Sequence, residues 1–112
     1  MLKKVNLYQS ELLAYFLKKM KETKEGDSSL LDNSIIIAGS ALSDGNLHLH
    51  NNVPTLVFGS AQGMVRGGRH IRYDSEPLSN LHLAVMDMFD TPADEFVSND
   101  TSDATGVLPG IA

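Results

Sequence analysis

"SIIIAGSALSDGNLHLHNNVPTLVFG", residues 34–59, decides how this chain folds. Two apolar, β-branched runs flank a stretch of Ser, Asp, Gly, Asn and His. A short continuous apolar run bounded by turn residues fits a strand buried on both faces. The spacing therefore predicts strands near 34–39 and 53–59, with Pro54 tolerated because it stands at the start of the second. A parallel crossover needs a dozen or more residues and usually a helix. Residues 40–52 are at that length and show no helical period, so an antiparallel pair is expected.

Outward from this centre, Val5, Tyr8, Leu12, Leu13, Phe16, Leu17 and Met20 recur three and four residues apart. They predict one apolar face of a helix over about 6–24, with Asn6 as its cap and Gly26 ending it. "HIRY" suggests a third short strand near 69–73. Ser75 and Pro77 then read as the start of a second helix, about 76–89, with Leu78, Leu81, Val85, Met88 and Phe89 as its apolar stripe. The expected class is α/β, a small mixed sheet flanked by two helices. One subdomain spans 1–90, and an irregular acidic tail spans 91–112, pinned at its end by Val107, Leu108 and Ile111. Strands of this kind want helices on both faces, and two helices are too few. The sheet is under-covered, so a homo-oligomer or a missing N-terminal half is expected to complete it.

Composition narrows the function classes. A chain of 112 residues with net charge −5 and no Cys lacks the basic surface of a non-specific nucleic-acid binder. It also lacks disulfides, thiolate metal sites and thiol nucleophiles. Lys3, Lys4, Lys18, Lys19, Lys21 and Lys24 cluster early and read as a solvated helix face. No apolar run reaches the roughly 18 residues of a membrane span, and no signal-peptide order appears. The expectation is a soluble protein with neither a nucleic-acid nor a membrane partner.

The chemistry-bearing residues fall in two loops. His48 and His50, two residues apart, would point the same way on extended backbone and offer two nitrogen donors, with Asp44 adding a carboxylate. Neutral imidazole suits a divalent metal such as zinc, and His70 is the best further ligand. The competing reading is that both are loop histidines bonded to nearby backbone. In "GMVRGGRH", Arg66, Arg69 and His70 beside flexible amides would hold a phosphate or sulfate. No helix follows directly, and a turn needs the same glycines. Ser40 and Ser43 sit in no strand-turn-helix elbow and have no identifiable base. His82 is a boundary residue of the second helix, and Met64, Met86 and Met88 read as filler.

Several of these segments, in order, resemble the C-terminal end of the bacterial family known as domain of unknown function 1552: "LLDN" at 30–33, "GNLHLH" at 45–50, "VPTLVFG" at 53–59, "GGRH" at 67–70 and "PLSNL" at 77–81. The likeness covers roughly residues 5–90, and the closing "TGVLPGI" is also family-like. That family looks like a distant relative of the alkaline-phosphatase and sulfatase superfamily, in which the loop after such a strand carries metal ligands. Ala41 stands here where that superfamily has an Asp. The superfamily's nucleophile lies in an N-terminal part, and the resemblance implies that the residues matched here come after it. The resemblance implies a C-terminal subdomain, not catalytic alone, whose full-length relatives are exported. The alternative it implies is a metal-dependent phosphate- or sulfate-ester hydrolase using His48 and His50, with Arg69 holding the anion.

Overall fold

A computed structural model of the chain describes residues 1–96 and 103–112. The fold is mixed α/β. Among the described residues it holds two helices, α1 (Leu2–Glu22) and α2 (Leu78–Met88), and two small antiparallel sheets. These pair β1 (Lys24–Glu25) with β2 (Ser28–Ser29), and β3 (Ile36–Gly39) with β4 (Thr55–Phe58). The chain divides into two compact units, Met1–Gln62 and Gly63–Ala112.

In the first unit, α1 starts at Leu2 and runs straight through Asn6, which caps nothing. Leu2, Lys3 and Lys4 are good helix formers, so nothing delays the start. The helix ends four residues before Gly26, where Thr23 turns extended. The Thr23 amide and hydroxyl both donate to the Lys19 carbonyl, at 3.0 and 2.8 Å. Lys19 and Lys21 lie in the last turn, where cations favour the negative end of the helix. Gly26, at φ 62, makes the tight turn between β1 and β2.

Behind that hairpin, "SLLD" closes on itself. The Ser29 amide and hydroxyl donate to one Asp32 carboxylate oxygen at 2.9 and 2.7 Å, and the Asp32 amide donates back to the Ser29 hydroxyl at 3.2 Å. This reciprocal pairing, with lysines 21 and 24 adding weaker attraction, holds the Asp32 carboxyl below its ordinary range despite some desolvation. The Asn33 amide ties the same turn to Glu25 and Ser28. The Asp32 carbonyl then accepts from the Ser60 hydroxyl and the Gln62 amide, both at 2.8 Å. The turn before β3 is thereby fastened to the segment after β4.

β3 and β4 pair in register from Ile36 opposite Phe58 to Gly39 opposite Thr55, antiparallel as the length of the intervening loop predicts. Close approach demands glycine at both ends of the ladder. A Cβ on Gly39 would meet the Pro54 carbonyl oxygen at 2.6 Å, and one on Gly59 would meet that of Ser34 at 2.1 Å. The strands are not buried on both faces as their composition suggests. Most of their residues are half-buried, and Leu56 is 55% exposed.

Two expectations about the sheet fail. The strand near 69–73 does not form, and neither does a mixed sheet: both sheets are two-stranded and antiparallel. Arg69 and Tyr73 explain the first difference. Their side chains hold C-terminal carbonyls, and the backbone between them has no ladder to join. The second helix does form, within two residues of the expected bounds; it starts at Leu78 because Pro77 stays extended, and Ser75 is not its cap.

In the second unit, the buried face of α2 shares only Leu81 with the expected stripe, and Val85 and Met88 are half-buried. Ser79, Asn80, Leu81, Leu83 and Ala84 face inward, while Leu78 and Phe89 are 42% and 50% exposed. The C-terminal segment causes this rotation. Leu108 and Ile111 pack into a core with Val65 and α2, and Val107 stays outside. Polar pins reinforce the packing. The Ser79 hydroxyl donates to Asp103 at 2.6 Å, and the Tyr73 hydroxyl to the Pro109 carbonyl at 2.6 Å. Residues 97–102 of the acidic tail lie outside the described residues. No helix among the described residues is long and apolar enough to cross a membrane.

Candidate functional site

The loop between β3 and β4 is built by one carboxylate. Asp44 Oδ1 accepts from the amides of Asn46 and Leu47 at 2.8 and 3.0 Å, an Asx turn. A narrow bridge closes it: the Leu49 amide donates to the Asp44 carbonyl, and the Ser43 amide to the Leu49 carbonyl. Reversing direction over so few residues puts His48 in the left-handed region, at φ 53, and Asn52 likewise. The backbone here is a turn rather than a strand. The simple rule that residues i and i+2 face alike applies only to extended chain.

His48 and His50 are both exposed, and His50 Nδ1 lies 3.3 Å from the Ala41 carbonyl oxygen. Among the described residues, no three His, Cys, Asp or Glu side chains gather around a common point suited to a metal ion. Asp44, which a metal would recruit, is already engaged in shaping its own loop.

Beside this loop, a shallow depression of about 380 Å³ lies between the start of α1 and residues 40–45. Leu2 and Asn6 form one side, Ser40 to Ser43 and Gly45 the other. The two hydroxyls point into backbone contacts: Ser40 donates to the Leu42 carbonyl at 2.8 Å and Ser43 to the Leu49 carbonyl at 3.4 Å. No acid or base lines the depression, so neither serine has a partner there to take its proton.

The second candidate group, Arg66, Arg69 and His70, belongs to the other unit. Arg69 uses three of its donors internally. Nε reaches the Arg66 carbonyl at 3.0 Å, Nη1 that of Gly110 at 2.9 Å, and Nη2 that of Ile111 at 2.8 Å. Its role here is to clamp the C-terminal segment. Arg66 and His70 are exposed. Gly68, at φ 73, provides the left-handed turn between them.

Asn80 is the polar group that sequence reasoning passed over. It is 1% exposed. Its amide nitrogen donates to Glu76 at 2.6 Å and to the Thr105 hydroxyl at 2.9 Å, and its amide oxygen accepts from the Thr105 backbone at 2.9 Å. Its carbonyl accepts from the Leu108 amide at 3.0 Å. A signal was available: Asn80 stands three and four residues before Leu83 and Ala84, on the same helical face. A polar residue there must be satisfied by something outside the helix. His82, at the edge of that helix, stacks on Phe96 at 4.3 Å.

Charge is sharply divided along the chain. α1 holds five lysines and two glutamates, a net +3, whereas residues 73–112 contain eight carboxylates and no Lys or Arg. Compared with protein-family models, with curated proteins and with solved structures, the chain matches none.

Proposed function

We propose that this chain is the C-terminal subdomain of an alkaline-phosphatase- or sulfatase-like protein, a scaffold piece without a catalytic centre of its own that associates with further copies. One observation carries the association. In the first unit no large apolar side chain is buried; only Ser29 and Ala61 are, and α1 buries none of its residues. Meanwhile Leu7, Tyr8 and Tyr15 stand 60%, 61% and 62% exposed. A two-stranded sheet is marginal in water without a covering layer, and fully burying one such aliphatic or aromatic side chain is worth about 1.5–3 kcal/mol. The uncovered helix and sheet therefore favour association strongly.

The site residues support the same reading. Asp44 and Arg69, which a hydrolase would aim at a metal and an anion, work here as a turn former and a clamp. The order of motifs from "LLDN" to "PLSNL" supplies the resemblance to the superfamily. Light scattering on the purified chain tests the proposal. A mass above 12.2 kDa at micromolar concentration is expected, with no turnover of phosphate or sulfate monoesters in the presence of divalent metals. A stable monomer, or turnover that disappears in His48→Ala, overturns it.

A further inference from the structure

The exposed stripe of α1 has a definite shape. Val5, Tyr8, Leu12 and Phe16 repeat at three- and four-residue intervals, and each is more than 40% exposed. The adjoining side of the same apolar face, at Leu13, Leu17 and Met20, is the half-buried one. Lysines at both ends give the helix its positive charge. The end of α2 and the residues after it show the reverse combination. Asp87, Asp90, Asp94 and Glu95 are all exposed there, with Phe89 and Phe96 at 50% and 41%.

We infer that α1 of one copy docks on the acidic, phenylalanine-bearing segment 87–96 of a second copy. The inference rests on the self-association proposed above and names the surfaces that carry it. Two α1 stripes packed on one another would bring lysines together with too few glutamates to offset them, and like charges across an interface select against it. Pairing the basic helix with the acidic segment satisfies both charge and apolar area. Done reciprocally about a two-fold axis, the contact closes at a dimer. The part of α1 that carries the stripe and its flanking lysines, residues 4 to 19, is about 23 Å long. With a contact strip about 10 Å wide, two reciprocal contacts bury about 900 Å² across four faces, the size of a small, concentration-dependent interface.

Charge reversal tests this in the full chain. One variant carries Lys4→Glu, Lys18→Glu and Lys19→Glu. The other carries Asp90→Lys, Asp94→Lys and Glu95→Lys. All six positions are exposed, and circular dichroism checks that each variant keeps its helices. Each variant alone is expected to dimerise at least about tenfold more weakly than the wild type, while their equimolar mixture regains a dimer, because each reversed surface then meets its complement. Leu12→Ser, which leaves charge unchanged, is expected to weaken the wild-type dimer as well. A wild-type dimer indifferent to both reversals, or a mixture that stays monomeric, overturns this contact and leaves self-association standing. A wild type monomeric throughout overturns both.

Discussion

Gly59→Ala is expected to destabilise the first unit by about 3–5 kcal/mol, an exceptional loss for one methyl group. Two independent costs add. The residue sits at φ +92, a conformation that L side chains rarely adopt. The new Cβ would also stand 2.1 Å from the Ser34 carbonyl oxygen and 2.9 Å from that of Leu31. Both neighbours are backbone, so no flexible side chain can swing away. Relief requires β4 to separate from the turn before β3, and that breaks the Ser60 and Gln62 bonds to Asp32. Thermal unfolding followed by circular dichroism checks this. Gly63→Ala is the matched control. It too has positive φ, at +91, but a Cβ there meets nothing within 4 Å, so it should cost only the conformational share, about 1 kcal/mol.

Asn80→Ala should have the second-largest effect, loosening the C-terminal segment from α2 at a cost of about 3–4 kcal/mol. Three side-chain hydrogen bonds vanish, one of them to the Glu76 carboxylate, and the buried space that Asn80 filled is left without a polar group to hold the Thr105 backbone. Asn80→Asp separates the contributions. It keeps the acceptor for the Thr105 amide but loses both donations and sets a negative charge beside Glu76. It should therefore be no more stable than the alanine variant at neutral pH. Urea unfolding gives the cost, and hydrogen exchange locates it. Protection at the Thr105 and Leu108 amides should collapse, while that of the β3–β4 ladder persists.

These two positions also show what the sequence could and could not reveal. The β3–β4 pair was legible because β-branched runs with a polar interval leave few options, and the interval was too plain for a helical crossover. The β1–β2 hairpin is not legible, since Lys24, Glu25, Ser28 and Ser29 carry no apolar alternation; "GDSSLLDNS" reads only as a turn after the helix. The strand at 69–73 was inferred from Ile71 and Tyr73, whose neighbours are committed to long-range bonds that local pattern does not encode. The face of α2 was misjudged for the same reason. Its inward side is fixed by a segment some 25 residues later, through Asn80 to Thr105. In the loop, the spacing of His48 and His50 was visible. The left-handed backbone at His48, which decides where the rings go, depends on the Asx turn at Asp44 and was not.

The central claim is that α1 presents an apolar stripe that another copy covers. Hydroxyl-radical footprinting of Tyr8 and Phe16 across a dilution series, read by mass spectrometry, tests it most directly. Both side chains should label freely at the lowest concentration and become protected as the chain associates, with Tyr73 changing little. Labelling that stays high in the associated protein, or protection already complete in the monomer, would contradict the account.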